Sequence, residues 1–259
     1  MERVDNQLRP FYHEYAWAYD LLVDQDIEKR VVFINTMARI FNLPENSRLL
    51  DAGCGTGQLS VALADNGFSV IGIDSSGALL NEGNRRKGER TNIQFLNTDI
   101  LKFDAVNTFD LAIIRGVLND FKKEDDRAKA FENISKSIVY QGLLIADVRS
   151  WDETCRRKIK SPITEKTIET SNGLLSFKSI TKLSSKDKLL NISETHTLSG
   201  PLGNKISKYK FKMKCWTTNE IYDYCFANNM EVKLLFGSYA LNSLVGETDR
   251  IIFVAKKIR

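Results

Sequence analysis

The chain has 259 residues, 42% of them hydrophobic, 10% aromatic and 27% charged, enough for one well-formed core with an elaboration attached. No run approaches the ~20 consecutive apolar residues of a membrane-spanning helix, and the N-terminus lacks a basic start followed by an apolar stretch, so the reading expects a cytoplasmic protein without a secretory leader. The net charge of +4 is too small to argue for nucleic acid, and Cys54, Cys155, Cys215 and Cys225 lack the pairing or histidine partners of a metal site.

Residues 8–23 place Phe11, Tyr15, Ala18, Tyr19 and Leu22 at helical spacing. Residues 27–41 do the same with Val31, Ile34, Ala38 and Phe41, ending at Asn42-Leu43-Pro44. Strands and helices then alternate. Strands are expected at 48–52, 68–73, 93–96, 109–114 and 142–148, and helices at 59–66, 77–87 and 127–139. Apolar strands separated by amphipathic helices indicate a parallel sheet covered on both faces.

From about Pro162 the pattern changes. Residues 167–170, 174–183, 189–198 and 206–215 alternate polar and apolar, with turn-forming runs between them, as in an antiparallel meander. A helix at 218–228, N-capped by Thr217 or Thr218, and strands at 231–236 and 250–256 close the chain. The expected fold class is α/β: a doubly wound, mostly parallel seven-stranded sheet with N-terminal helices and an inserted antiparallel β-meander. The division expected is a helical cap over 1–45, an α/β domain over 46–152 and 216–259, and a β insertion over 153–215. Residues 151–215 carry 14 Lys/Arg against 6 Asp/Glu, leaving the remainder at −4. Such a basic insert could steer an anionic substrate, or its lysines could simply protect strand edges.

The most informative segment is Leu49-Leu50-Asp51-Ala52-Gly53-Cys54-Gly55-Thr56-Gly57. Glycines just after a buried strand let backbone approach a ligand and turn into the next helix. The dinucleotide spacing G-x-G-x-x-G fails, because Gln58 stands where the third glycine is required. An Asp51 carboxylate at the strand end would repel a pyrophosphate but favour a ligand carrying an ammonium and a sulfonium. Two more acidic residues, Asp74 and Asp99, end the next two strands, at the carboxyl edge where doubly wound sheets bind ligands.

On these residues the sequence resembles the class I methyltransferases that use S-adenosylmethionine, over roughly residues 8–150 and again over 217–257, and so implies a Rossmann-like fold. The resemblance implies that Asp51, Gly53, Cys54, Gly55 and Gly57 meet the methionine portion. It implies Asp74 and Ser75 at the ribose, Asp99 with Ile100 at the adenine, and Arg115 and Gly116 along the cofactor wall. The product would be S-adenosylhomocysteine.

The finer resemblance is to glycine and sarcosine N-methyltransferases and to deoxyaminosugar N-methyltransferases. Tyr15-Ala16-Trp17-Ala18-Tyr19-Asp20 is similar to the element those enzymes fold over the cofactor, which implies a cofactor and catalytic role for Tyr19. Asp120, in Gly116-Val117-Leu118-Asn119-Asp120, stands near the place where related aminosugar enzymes often have histidine. It could hold an ammonium or accept its proton, or simply form a turn with Asn119. Arg149 would grip an acceptor carboxylate, as the glycine-methylating enzymes' arginine does, or pair with Asp147, Asp152 or Glu153. His13 and His196 are the only histidines, and His13 reads as a surface residue. The expected reaction is methyl transfer to a small molecule, an amine nitrogen before an oxygen, with an anionic or carboxylate-bearing acceptor allowed. The homodimer stays open, as does an RNA or protein methyltransferase docking through the basic insert; membrane and nucleic-acid partners are not expected.

Overall fold

The computed structural model describes residues 12–23, 26–201 and 203–259. Its larger sheet has seven strands in the order β10-β11-β5-β4-β1-β2-β3. These are β1 (Arg48–Ala52), β2 (Ser69–Asp74), β3 (Ile93–Asn97), β4 (Phe109–Arg115), β5 (Ile138–Arg149), β10 (Met230–Phe236) and β11 (Arg250–Lys257). The first five pair in parallel, while β11 runs antiparallel to both β5 and β10. Successive side chains of a strand point to opposite faces. Leu49, Leu111 and Ile145 therefore join Phe33, Ile34 and Leu63 of one core layer, and Leu50, Ala112 and Leu144 join Phe131, Ile134 and Ile221 of the other. This is why the strands read as unbroken apolar runs.

The first layer holds α2 (Ile27–Ile40) and α3 (Gln58–Asp65); the second holds α5 (Glu124–Ser137) and α7 (Thr218–Ala227). The helix α4 (Gly77–Lys87) packs beside β3. Thr217 caps α7 as expected: its Oγ1 accepts from the Glu220 amide and Glu220 Oε2 accepts from the Thr217 amide at 2.7 Å, a reciprocal pair that satisfies two helix-start donors.

The inserted meander forms a second sheet, β6 (Ile163–Thr170), β7 (Gly173–Ser184), β8 (Leu189–Gly200) and β9 (Gly203–Lys214), antiparallel throughout and paired in chain order. Lys208 and Lys210 are exposed on its edge strand β9, the position where lysine discourages edge-to-edge pairing.

Two expectations need correction. Residues 8–23 do not make one helix. Positions 8–11 lie outside the described residues, and the rest form turns, a 3-10 turn over Ala16–Ala18 and the single-turn α1 (Tyr19–Leu22). Tyr15, Ala16, Ala18 and Leu22 are buried between the two sheets, so packing from two sides replaces the single apolar stripe of a surface helix. The chain also leaves β5 directly into a helix, α6 (Trp151–Lys160), a stretch for which no element was expected. Its signals were electrostatic: Ser150 as N-cap, Asp152 and Glu153 in the first turn, Arg157, Lys158 and Lys160 in the last. An apolar signal was present as well, since Trp151, Cys155 and Ile159 recur at helical spacing and Trp151 packs against the cluster of Leu190, Ile192 and Cys215.

The two ends of the insertion are joined at the carboxyl end of β5. The Trp216 amide donates to the Arg149 carbonyl at 2.8 Å, and the Trp151 amide to the Trp216 carbonyl at 2.9 Å. Fully buried Asn119 completes the joint. Its Nδ2 donates to the Lys214 carbonyl at 2.6 Å and its Oδ1 accepts from the Arg149 amide at 3.2 Å. Asn119→Ala leaves a buried carbonyl and a buried amide unpaired, and a loss of about 2 kcal/mol is expected in urea unfolding.

Candidate functional site

The carboxyl edge of the larger sheet, the inner face of the smaller one and the segment 12–23 enclose a cavity of about 970 Å³. On the sheet side it is lined by Gly53, Cys54 and Gly55 after β1, Asp74 and Ser75 after β2, and Asp99 and Ile100 after β3. Arg115 and Gly116 follow from the end of β4, and Asp147 and Arg149 from β5. The opposite wall is Phe177 of β7 with Tyr209, Phe211 and Met213 of β9.

The loop after β1 is fixed by backbone chemistry. Gly53, Gly55 and Gly57 have φ of +76°, +58° and +68°, conformations costly for residues with a Cβ. The amides of Gly53 and Cys54 both donate to the Ile73 carbonyl, at 2.7 and 3.0 Å. A side chain at Gly53 would strike Val117 and one at Gly57 would strike Phe95, whereas a Cβ at Gly55 would meet no protein atom within 4 Å. One face of the loop is thus packed and the other is open to the cavity.

Asp74 holds this loop to the next helix. Its Oδ2 accepts from the Gly55 amide at 2.9 Å and its Oδ1 from the Ser76 amide at 2.8 Å. Burial pushes its carboxyl above the ordinary range, against the pull of those two amides. Asp99 lines the same cavity and caps the turn over Ile100–Lys102, accepting from the Leu101 amide at 2.9 Å.

Asp51 and Gly57 do not line the cavity. Asp51 is fully buried, accepts from Ser60 Oγ at 2.6 Å and faces Arg115. Burial raises its carboxyl above the usual value in spite of that cation. Burial pulls Arg115 down most strongly of any single influence, but Asp51 together with Tyr239, Tyr19 and Asp147 carries the guanidinium above its ordinary value. Asp51 therefore acts on the cavity through Arg115. Gly57 is the left-handed N-cap of α3, required by the contact with Phe95.

Tyr19 lines the cavity from α1, its ring 6.2 Å from that of Tyr12. The segment that carries it is tied to both sheets. Asp20 accepts from Thr56 Oγ1 at 2.7 and 2.9 Å and from Arg86 at 2.7 Å, and Ser76 Oγ donates to the Tyr12 carbonyl. Towards the smaller sheet, Glu14 accepts from Ser207 at 3.0 Å and Lys166 donates to the carbonyls of Leu21 and Leu22. His13 is exposed, and His196 is buried between the rings of Tyr15 and Phe177, both 5.5 Å away.

Asp120 lines the cavity and closes the 3-10 turn over Val117–Asn119, its amide donating to the Val117 carbonyl at 2.9 Å. Arg149 also lines it, but its Nη1 donates to Asp249 Oδ2, not to the Asp147, Asp152 or Glu153 weighed from sequence. Asp147 instead accepts from Arg250 Nε at 2.6 Å.

Sequence reading missed Arg30, Tyr239 and Arg250 in the wall, with Phe177, Tyr209 and Phe211 opposite. Arg30 left a signal, since it lies three and four residues from Ile27 and Ile34 on the inward stripe of α2. Its guanidinium lies 5.3 Å from the Tyr239 ring centroid. The other residues gather only once the two sheets are folded together.

A family model described as a methyltransferase domain matches residues 49–142. Over those residues the chain carries a methyltransferase domain. Among curated proteins it is 36% identical to a glycine/sarcosine N-methyltransferase of Parasynechococcus marenigrum, over 59% of the chain and 55% of that protein. It is 28% identical to the glycine N-methyltransferase of Mus musculus, over 77% of the chain and 72% of that protein. Two other bacterial relatives are spanned over only 45% and 58% of their length. The sugar N-methyltransferase KedS8 of a Streptoalloteichus species shares the fold, with a TM-score of 0.77 at 15% identity over 100% of this chain and 97% of that one. Among the described residues no helix is long and apolar enough to cross a membrane.

The methyltransferase domain's cavity suits its cofactor chemically. The open face of Gly55 admits close backbone approach, and the buried carboxylate of Asp74 matches hydroxyl donors. Because burial raises the Asp74 carboxyl, its charge subtracts from the stability of the unliganded fold. That penalty is absent below the unfolded pKa, near 3.8, and reaches its full size as pH rises through the higher folded value. Thermal unfolding of the unliganded protein should therefore show wild type gaining on Asp74→Asn as pH falls from 7 towards 4.

Proposed function

We propose that the chain transfers a methyl group from S-adenosylmethionine to the nitrogen of a small-molecule amine. The observation that carries this reading is the single cavity that joins the glycine loop and Asp74 to a wall of Phe177, Tyr209 and Phe211. The names of the glycine and sugar N-methyltransferases support an amine acceptor.

The cofactor supplies a methyl group already activated on a sulfonium, with a neutral leaving group. The chain's task is then to orient the acceptor in line and to keep water out. Asp74 would accept from the ribose hydroxyls, with Ser75 beside it, and Asp99 from the adenine amino group, with Ile100 against the ring. The backbone of Gly53, Cys54 and Gly55 would follow the methionine portion, with Gly116 and Arg115 completing the wall. Arg30 would meet the carboxylate of that portion, its buried position strengthening the attraction. Tyr19 closes the cavity from α1. Asp120 would hold the acceptor ammonium and take its proton, since only a neutral amine has the lone pair to attack. Arg149, at the end of β5, would border the acceptor.

Calorimetry should show micromolar binding of S-adenosylhomocysteine, weakened at least about tenfold (1.4 kcal/mol) in Asp74→Ala. Absence of binding by wild type would refute the reading. With an acceptor found by screening amines for S-adenosylhomocysteine release, Asp120→Asn should lower kcat and shift the pH–rate profile while leaving S-adenosylhomocysteine affinity unchanged.

A further inference from the structure

Tyr239 lies in the segment between β10 and β11 and lines the cavity, with 9% of its surface exposed. The segment is braced from within. The Ser238 amide donates to Ser243 Oγ at 2.9 Å, and Ser243 Oγ donates to the Ala240 carbonyl at 2.8 Å. A Cβ at Gly237 would strike the Leu244 carbonyl, so the two arms of the segment are drawn close together. The Tyr239 ring meets α2 at two residues one turn apart. Phe33 makes a T-shaped contact with it, centroids 5.3 Å apart, and the Arg30 guanidinium lies over the ring, 5.3 Å from its centroid. The Tyr239 hydroxyl is buried and finds no hydrogen-bond partner among the described residues. The contacts of Tyr239 with α2 are thus made by its ring. Arg30 also lines the cavity, and its charge acts on Asp51, two residues before Gly53 of the glycine loop. Burial, and after it the charge of Arg115, holds the Arg30 guanidinium below its ordinary value.

We propose that Tyr239 is a positioning residue for Arg30, holding its guanidinium where it meets the carboxylate of the donor's methionine portion. A guanidinium over an aromatic face is attracted by the ring's quadrupole, most strongly where water is excluded. The ring restrains the cation without adding an anion. A carboxylate in place of the ring would neutralise Arg30 and repel the ligand's own carboxylate. Fixing Arg30 before the ligand arrives also removes the entropy cost of ordering a long side chain on binding. Phe33, one turn along α2, packs against the same ring and keeps it in place. Tyr239 therefore acts on the donor through Arg30 and not through its own hydroxyl. The inference rests on the reading that the cavity holds S-adenosylmethionine with its carboxylate towards Arg30.

The test is calorimetry on the full chain with S-adenosylhomocysteine and with 5′-methylthioadenosine, which keeps the nucleoside and thioether but has no carboxylate. Tyr239→Leu should weaken S-adenosylhomocysteine about tenfold and leave 5′-methylthioadenosine within about twofold of wild type. Tyr239→Phe, which keeps the ring, should bind both ligands as wild type does. It should also be no less stable to heat, because the hydroxyl it lacks had no partner to lose. In an Arg30→Met background, Tyr239→Leu should weaken S-adenosylhomocysteine no further, as expected of a residue that acts through another. Tyr239→Met serves as a second ringless variant should Leu disturb the fold. Folded ringless variants that bind S-adenosylhomocysteine as tightly as wild type, or that lose both ligands alike, overturn the proposal. So does a Tyr239→Phe variant that loses as much affinity as Tyr239→Leu, or additive effects of Tyr239→Leu and Arg30→Met. Failure of wild type to bind S-adenosylhomocysteine is seen before any variant is compared, and it overturns the underlying reading together with this one.

Discussion

The whole site depends on the carboxylate of Asp74, which accepts amides from Gly55 on one side and Ser76 on the other. It is a buried charge, and burial raises its pKa, so it is not placed there for the stability of the empty fold. Its effect is geometric. It fixes the middle of the loop of three left-handed glycines after β1, at Gly55, whose open face is towards the cavity. The Ile73 carbonyl, accepting from Gly53 and Cys54, secures the same loop from below.

Around that fixed point the fold assembles an enclosure from parts distant in sequence. The insertion departs at Ser150 and returns at Trp216, and these two form an isolated parallel bridge beside the end of β5. The smaller sheet is thereby anchored over the carboxyl edge of the larger one, with Asn119 filling the joint. The segment 12–23 then lies between the sheets, bonded through Asp20 to the glycine loop and through Glu14 and the backbone of Leu21 and Leu22 to the meander. Methyl transfer from a sulfonium demands alignment and dryness more than acid–base groups, and an enclosure of this kind answers both demands.

Charge inside the enclosure is largely neutralised by local partners. Arg115 faces Asp51, Arg250 faces Asp147, and Arg149 faces Asp249. Unpaired cations would be costly in so buried a place, and paired ones are rigid and poorly available to an incoming anion. Arg149 illustrates the consequence. Its residue type and position suggest a grip on a substrate carboxylate, and in the fold its Nη1 donates to Asp249.

The sequence by itself determined the larger sheet, the meander and the donor loop. Each depends on short-range rules: apolar runs for strands buried on both faces, alternation for the half-exposed meander, and glycines where backbone must turn with positive φ. Asp74 and Asp99 were legible because a doubly wound sheet brings successive strand ends to one edge. Only the tertiary structure decided that residues 12–23 pack on two sides and so abandon a regular helix. It alone showed that Asp51 sits behind Arg115 instead of at the cavity wall. The pairing of Arg149 with Asp249 joins residues 100 positions apart, and nothing in local spacing encodes it. The glycine loop and the acidic strand ends lie in consecutive elements of the sequence, whereas the opposite wall of the cavity is assembled from elements brought together only by folding.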